Sequence, residues 1–264
     1  MLIAQLSDPH IRPDGVLYQG VTDSNGGFAT AVEHILTLDR RPDVLLLTGD
    51  LVDTGQPAEY DALRAILDDL PMPVLVIPGN HDDRENLRKA FSDHSYLPED
   101  GPLHYCIDDY PVRIIGLDST VPGLHHGHID TPGLDWLDDT LAADPIKPTL
   151  LMLHHPPFSC GIPYMDQYRY FDGDALAAVV RRFDNIEIVL CGHVHRSMLT
   201  RWANTVVSSC PSTATEIDLR LLPSAESASH IGPRACMLHL WTERDGLVSH
   251  TSQIGDFDGP YPFA

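Results

Sequence analysis

The sequence predicts an α/β fold with a largely parallel sheet in its first half, and two patterns carry that expectation. Short apolar runs of strand length alternate with stretches of helical periodicity. In addition, five of the apolar runs end in polar residues of metal-binding type. Functional groups in open α/β sheets gather outside the carboxyl ends of the strands, so loops along one edge can pool their side chains.

The elements follow in order. Leu2–Leu6 runs into Ser7-Asp8-Pro9-His10. Phe28, Val32, Ile35 and Leu36 then fall at helical spacing behind candidate caps at Asp23 to Asn25. Residues 44–47 form a second strand entering Thr48-Gly49-Asp50. A helix opens at Pro57, a favoured first-turn position, and aligns Tyr60, Leu63, Leu67 and Leu70. Val74–Ile77 leads into Pro78-Gly79-Asn80-His81-Asp82. Residues 104–107 and 112–117 read as paired strands about a turn. Thr131-Pro132 starts a helix with Leu134, Leu137 and Leu141 inward. Residues 150–153 enter His154-His155-Pro156. Asp172 heads a helix carrying Leu176, Val179, Val180 and Phe183. Residues 186–190 enter Cys191-Gly192-His193-Val194-His195. Beyond Ser208 the chain reads as an irregular excursion through Pro233, then a hairpin of residues 236–241 and 247–251 about Asp245-Gly246. The tail from Gly255 docks on its own subunit or reaches a neighbour.

With 264 residues, 43% of them hydrophobic and 21% charged, the chain has the composition of a globular protein with a sizeable core. Its 17 basic and 38 acidic side chains leave a formal charge of −21. Such a surface repels polyanions, which argues against a nucleic acid polymer or an anionic membrane as partner. A small anion is still admissible, because charges beyond roughly 8 Å are screened. No apolar run has the length of a membrane span, and the first residues lack the pattern of a signal peptide. Five cysteines without C-x-x-C spacing disfavour a disulfide framework and fit reduced thiols in the cytoplasm.

Each polar block has an ordinary structural explanation when taken alone. Asp8-Pro9 starts turns, Gly49-Asp50 ends many strands, and His154-His155 can be a core pair. Their occurrence at five strand ends in one chain is not what packing requires. Asp, Asn and His offer hard oxygens and borderline nitrogens, a set suited to Mn, Fe, Zn or Co rather than Ca. The expectation is therefore a hydrolytic centre of two divalent transition-metal ions. Two such ions against Asp8 and Asp50 leave a residual charge of about +2, which favours a singly charged phosphodiester over a neutral substrate. Asp82 and His155 read as scaffold around the ligands. His125, His126 and His128 form a His-rich patch that could bind metal but reads better as an exposed loop beside the site that touches substrate at most. Cys191 reads as a buried inert thiol, and Asp61, Asp68 and Asp69 as a solvated helix face. Tyr18 is balanced between the pocket wall and the surface.

Asp8-x-His10, Gly49-Asp50, Gly79-Asn80-His81-Asp82, His154-His155 and Gly192-His193-x-His195 resemble the five blocks of the calcineurin-like metallophosphoesterase superfamily. Leu17-Tyr18 and Pro211-Ser212-Thr213 are further similar to its class III cyclic nucleotide phosphodiesterases and bacterial glycerophosphodiesterases. The resemblance implies one metal held by Asp8, His10, Asp50 and His195, and another by Asp50, Asn80, His154 and His193, with Asp50 bridging. It implies that His81 contacts the phosphate, and that hydroxide held between the ions attacks phosphorus in line. It also implies a two-sheet α/β sandwich with helices outside, a catalytic core over residues 1–208, and a C-terminal segment 209–264 in the same domain. That segment caps the site or forms a homo-oligomer contact. The leading function is hydrolysis of small phosphodiesters, cyclic nucleotides or glycerophosphodiesters. The alternatives are a phosphomonoesterase, which would want a basic cluster that is missing here, and a non-catalytic scaffold, which would have lost ligands.

Overall fold

A computed structural model describes residues 1–68, 70–259 and 261–262; Asp69 and three positions of the tail lie outside the described residues. The order is β1 (Leu2–Leu6), α1 (Ser24–Leu36), β2 (Val44–Thr48), α2 (Pro57–Leu67), β3 (Val74–Ile77), α3 (Arg84–Ala90), β4 (Tyr105–Ile107) and β5 (Arg113–Leu117). It continues with α4 (Thr131–Ala143), β6 (Thr149–Leu153), α5 (Gly173–Val180), β7 (Ile186–Cys191), β8 (Met198–Trp202) and β9 (Thr205–Ser209). The chain closes with β10 (Glu216–Ile217), β11 (Ser229–His230), β12 (Arg234–Thr242) and β13 (Gly246–Ile254).

Apart from a β10–β11 ribbon, the strands form two mixed sheets, in the orders β13-β12-β1-β2-β3 and β4-β5-β6-β7-β9-β8. In the first, β1, β2 and β3 are parallel, and β12 and β13 add antiparallel on one side. In the second, β5, β6, β7 and β9 are parallel, and β4 and β8 add antiparallel at the two edges. Side chains alternate across a strand, and that alternation builds the layers. In β2, Leu45 and Leu47 pack with Phe28 and Ile35 of α1 and Leu63 of α2. Val44 and Leu46 face the other way and meet Ile114, Leu150 and Met152 of the second sheet. In β6, Leu151 and Leu153 pack under Leu137 of α4 and Leu176 of α5. The result is the expected sandwich of two sheets with helices on both outer faces. Fully burying one such aliphatic side chain is worth about 1.5–3 kcal/mol.

Helix ends follow from local chemistry. The Asp23 carboxylate accepts the Gly26 N–H at 2.9 Å, and Asp130 caps α4 through Gly133 N–H at 3.0 Å. Several expectations need correction. Leu36 is 43% exposed, and Leu70 and Phe183 lie beyond their helices while still touching the core. Asp172 does head α5, at φ 59° and without a capping bond from its side chain. The excursion contains the two-residue ribbon β10–β11. The closing hairpin is longer than expected, and β12 pairs antiparallel with β1, so the last strands complete the first sheet.

Two polar core residues tie the layers together. Gln5 of β1 donates to Thr48 Oγ1 at 3.0 Å and across the sandwich to Cys191 O at 3.1 Å. His239 of β12, fully buried, bonds Gln5 Oε1 at 3.2 Å and Ser249 Oγ at 2.7 Å. Burial pushes the His239 imidazole down to about 3, whereas an unfolded histidine titrates near 6.5. Between those values the unfolded chain binds the extra proton, so His239 destabilises the fold as pH falls, by about 1.4 kcal/mol per pH unit at most. His239→Gln, which retains a donor and an acceptor, is expected to flatten the dependence of urea midpoint on pH between 6.5 and 4. An unchanged pH profile would remove this account of His239.

Candidate metal centre

The five expected polar blocks all follow strands whose carboxyl ends lie along one edge of the sandwich, and the loops there bend sharply. Asp8, His10, Asp50, His193 and His195 all have positive φ, at 52°, 44°, 48°, 69° and 56°. Non-glycine residues seldom occupy this region, and such strain concentrates at functional sites. Two glycines permit the approach of the loops. Gly49 sits at φ 90°, and a Cβ there would stand 2.7 Å from His154 Cγ and 2.9 Å from Gly79 N. A Cβ on Gly192 would lie 2.6 Å from Asp8 Oδ2 and 2.7 Å from Thr48 O.

Donor atoms of Asp8, His10, Asp50 and His195 all lie within 4.8 Å of one another, and the four residues are buried. His10 Nε2 stands 3.0 Å from His195 Nε2. Two nitrogens bound at about 2.1 Å to one ion, roughly at right angles, would be separated by about that distance. The tautomer of His195 is set by Nδ1 donating to Thr215 O at 2.8 Å, which leaves Nε2 as the lone-pair atom. His195 Nε2 is 3.4 Å from Asp8 Oδ1, and His10 Nε2 is 3.7 Å from Asp50 Oδ2.

A second group adjoins the first through Asp50. His154 Nε2 lies 3.3 Å from Asp50 Oδ2, with its Nδ1 bonded to Thr48 O at 2.8 Å. His154 and His193 also bring donor atoms within 4.8 Å of each other, with His155 alongside. Buried His154 Nε2, His193 Nε2 and Asn80 Oδ1 have no hydrogen-bond partner among the described residues. Leaving such groups unpaired costs about 1–3 kcal/mol each, and these are donor atoms of the types that suit a transition metal. The residues present therefore fit a pair of ions. His155 is different, because Nδ1 meets Ser119 Oγ at 2.8 Å and Nε2 meets His125 O at 3.1 Å. Both nitrogens are engaged, so His155 is scaffold, as expected. Asp82 is scaffold too: its carboxylate accepts from the N–H groups of Gly79 and Leu51 and from Tyr60 OH.

Charges inside the cluster oppose one another. Burial disfavours ionised Asp50, yet His154 and His81 hold its carboxyl well below the usual range. Burial also lowers His154, but the Asp50 and Asp8 charges carry it up to about 9. His193, where burial dominates and His154 adds repulsion, falls to about 3.

The cluster opens into a cavity of about 390 Å³ whose wall includes Tyr18, Asn80, His81, His125, Tyr164 and Tyr168. Tyr18 is buried and stacks on His10, with ring centroids 4.5 Å apart. Among the described residues, no lysine or arginine lines this cavity. Three contributors escaped the sequence reading. Asp53 accepts from His81 Nδ1 through its carbonyl at 2.7 Å and places its carboxylate 3.4 Å from the same nitrogen. Thr215 and Thr48 act through backbone oxygens, which no side-chain pattern reveals. Asp53 had a signal, an acidic residue three positions after Asp50. His125 is exposed and lines the cavity wall, in keeping with a loop beside the site.

The profile of the family described as calcineurin-like phosphoesterase matches residues 1–197. The chain is 38% identical over 264 residues to a probable glycerophosphodiester phosphodiesterase of Arcobacter nitrofigilis, covering 100% of this chain and 97% of that one. It is 33% identical over 249 residues to a cAMP/cGMP dual specificity phosphodiesterase of Mycobacterium tuberculosis, covering 92% and 76% respectively. Among solved structures, a dimetal phosphatase of Danio rerio superposes with a TM-score of 0.65 at 15% identity, over 97% of this chain and 99% of that one, a likeness of fold. Metallophosphoesterases of this kind are hydrolases with a dinuclear metal centre. On the profile match and the full-length identity, the chain belongs to the calcineurin-like phosphoesterase family.

Proposed function

We propose that the protein hydrolyses small phosphodiesters at a dinuclear metal centre, with glycerophosphodiesters ahead of cyclic nucleotides as substrates. The observation that carries this reading is the pair of donor groups sharing Asp50, with its unpaired nitrogens and amide oxygen. The preference between diesters follows the probable glycerophosphodiester phosphodiesterase, which is matched over the whole chain including residues 209–264. Asp8, His10, Asp50 and His195 would hold one ion, and Asp50, Asn80, His154 and His193 the other. A carboxylate has two oxygens and can span two cations, which imidazole cannot. Mn, Fe, Zn and Co all suit this donor set. When bound, the ions supply an acidified water and the positive charge that clamps phosphoryl oxygens.

His81 is the acid in this reading. Its Nδ1 is held by Asp53, which leaves Nε2 for the substrate. Burial lowers its pKa, but Asp50 and Asp53 together carry it up to about 10. With cations on Asp50 part of that rise would be lost, and Asp53 would still favour the imidazolium. A proton held there meets the charge that develops on the phosphate or leaving oxygen. The absence of Lys and Arg from the described cavity wall favours a singly charged diester over a dianionic monoester. Residues 1–208 serve as the catalytic core and 209–264 as its wall and assembly segment. Leu219, Leu221, Leu222 and Ile231 of that segment are exposed, and we read the chain as a homo-oligomer working in the cytoplasm. Among the described residues, no helix is long and apolar enough to cross a membrane.

Protein loaded with Mn, Co or Zn is expected to cleave an aryl phosphodiester faster than the monoester of the same leaving group. EDTA followed by desalting should abolish turnover, and restored metal should return it; full activity in the stripped protein would sink the dinuclear reading. His81→Ala is expected to lower kcat by about 10²–10⁴-fold with metal content intact. Asn80→Ala should instead bind fewer ions, measured by elemental analysis, so equal metal contents in the two variants would contradict the assigned roles.

A further inference from the structure

We propose that His125 is a positioning residue that keeps the Asn80 carboxamide turned with Oδ1 towards the ligand cluster, an inference resting on the dinuclear reading above. Asn80 Nδ2 lies 3.2 Å from His125 Nδ1, while Asn80 Oδ1 is buried without a partner among the described residues. A carboxamide has a donor end and an acceptor end. With Nδ2 committed to His125, Oδ1 is the end left to face a cation. Turned the other way, the amide would aim two N–H bonds at positive charge.

The same bond defines the tautomer of His125. An amide nitrogen only donates, so Nδ1 accepts and the imidazole proton sits on Nε2. The loop carrying His125 is itself pinned. His155 Nε2 donates to His125 O at 3.1 Å, and its Nδ1 accepts from Ser119 Oγ at 2.8 Å. Ser119 and His155 are fully buried, so the chain Ser119–His155–His125–Asn80 starts in the core and ends at a proposed ligand. The His125 ring also stands between His81 and Tyr168, with centroids 5.9 and 5.8 Å away, which limits its rotation. This gives work to two histidines that the reaction itself leaves unused. Residues that orient metal ligands from outside typically change metal affinity about 10–100-fold when removed.

The test is calorimetric titration of metal-stripped protein with Mn²⁺, for wild type, His125→Ala, His125→Asn and His126→Ala. Wild type is expected to take two equivalents. His125→Ala should keep one of them unchanged, which also reports a folded core, and bind the other about 10–100-fold more weakly. His125→Asn, whose Oδ1 falls near the place of the imidazole Nδ1, should recover most of the loss. His126→Ala, from the same loop but with its ring against Phe171, should match wild type. Two wild-type equivalents in His125→Ala, or equal weakening in His125→Ala and His126→Ala, would overturn the assignment. A wild-type protein that binds fewer than two ions would bring down the dinuclear reading itself, a separate and recognisable failure.

Discussion

Two carboxylates carried out of water set the terms for the rest of this molecule. Asp8 and Asp50 are 0% and 2% exposed, and an ionised carboxylate that deep costs several kcal/mol unless donors surround it. The donors come from distant parts of the chain. Asp8 accepts the His193 N–H at 3.0 and 3.1 Å and the Ser7 hydroxyl at 2.5 Å. Asp50 accepts the His81 N–H at 2.9 Å and faces His154. Each bond offsets burial, and those from Ser7 to Asp8 Oδ2 and from His81 to Asp50 Oδ1 leave the other oxygen of each carboxylate towards His195 and His154. Because Asp8 leaves β1 and His193 leaves β7, the first of these contacts joins the two sheets at the edge where the site forms.

That arrangement has a backbone cost. Asp8, His10, Asp50, His193 and His195 all occupy the left-handed region, at about 1–3 kcal/mol each. The strain is tolerated because the strands behind these loops are among the most buried in the protein. β1, β2 and β6 are buried at every position, packed between outer helices and the opposite sheet. The turns are thus forced by rigid supports, and the side chains they aim have little freedom to relax. This is preorganisation by packing, and it explains why apolar runs directly precede every polar block.

Parts of this were legible in the sequence, for physical reasons that can be named. β1 and β3 have the expected bounds because uninterrupted Leu, Ile and Val runs stop at turn residues. The ligand-type side chains were legible because polar groups following such strands have no packing value. α3 was not anticipated: Leu87 is its one buried residue, and Arg84, Glu85, Arg88 and Lys89 give no apolar periodicity. β8 was missed because its alternate positions are exposed or half-buried at a sheet edge. Pairing of β12 with β1, which joins residues more than two hundred positions apart, is a tertiary event that local pattern does not encode. Asp53, Thr48 and Thr215 escaped because carbonyl oxygens do much of their work.

The charge of −21 and an anionic substrate look incompatible until distance is considered. Surface carboxylates act through water, where their fields are screened beyond roughly 8 Å. The cavity, by contrast, is lined by His10, His81, His193 and His195 together with Asp50 and Asp53, and no lysine or arginine is among the described lining residues. On the proposed reading, attraction for phosphate would come from bound ions and from His81, over a few ångströms. With no lysine or arginine among the described lining residues, the wall itself would offer little to hold a second negative charge on a substrate. In the function proposed above, preference for diesters would follow from what the wall lacks, and the net negative charge would disfavour the approach of polyanions.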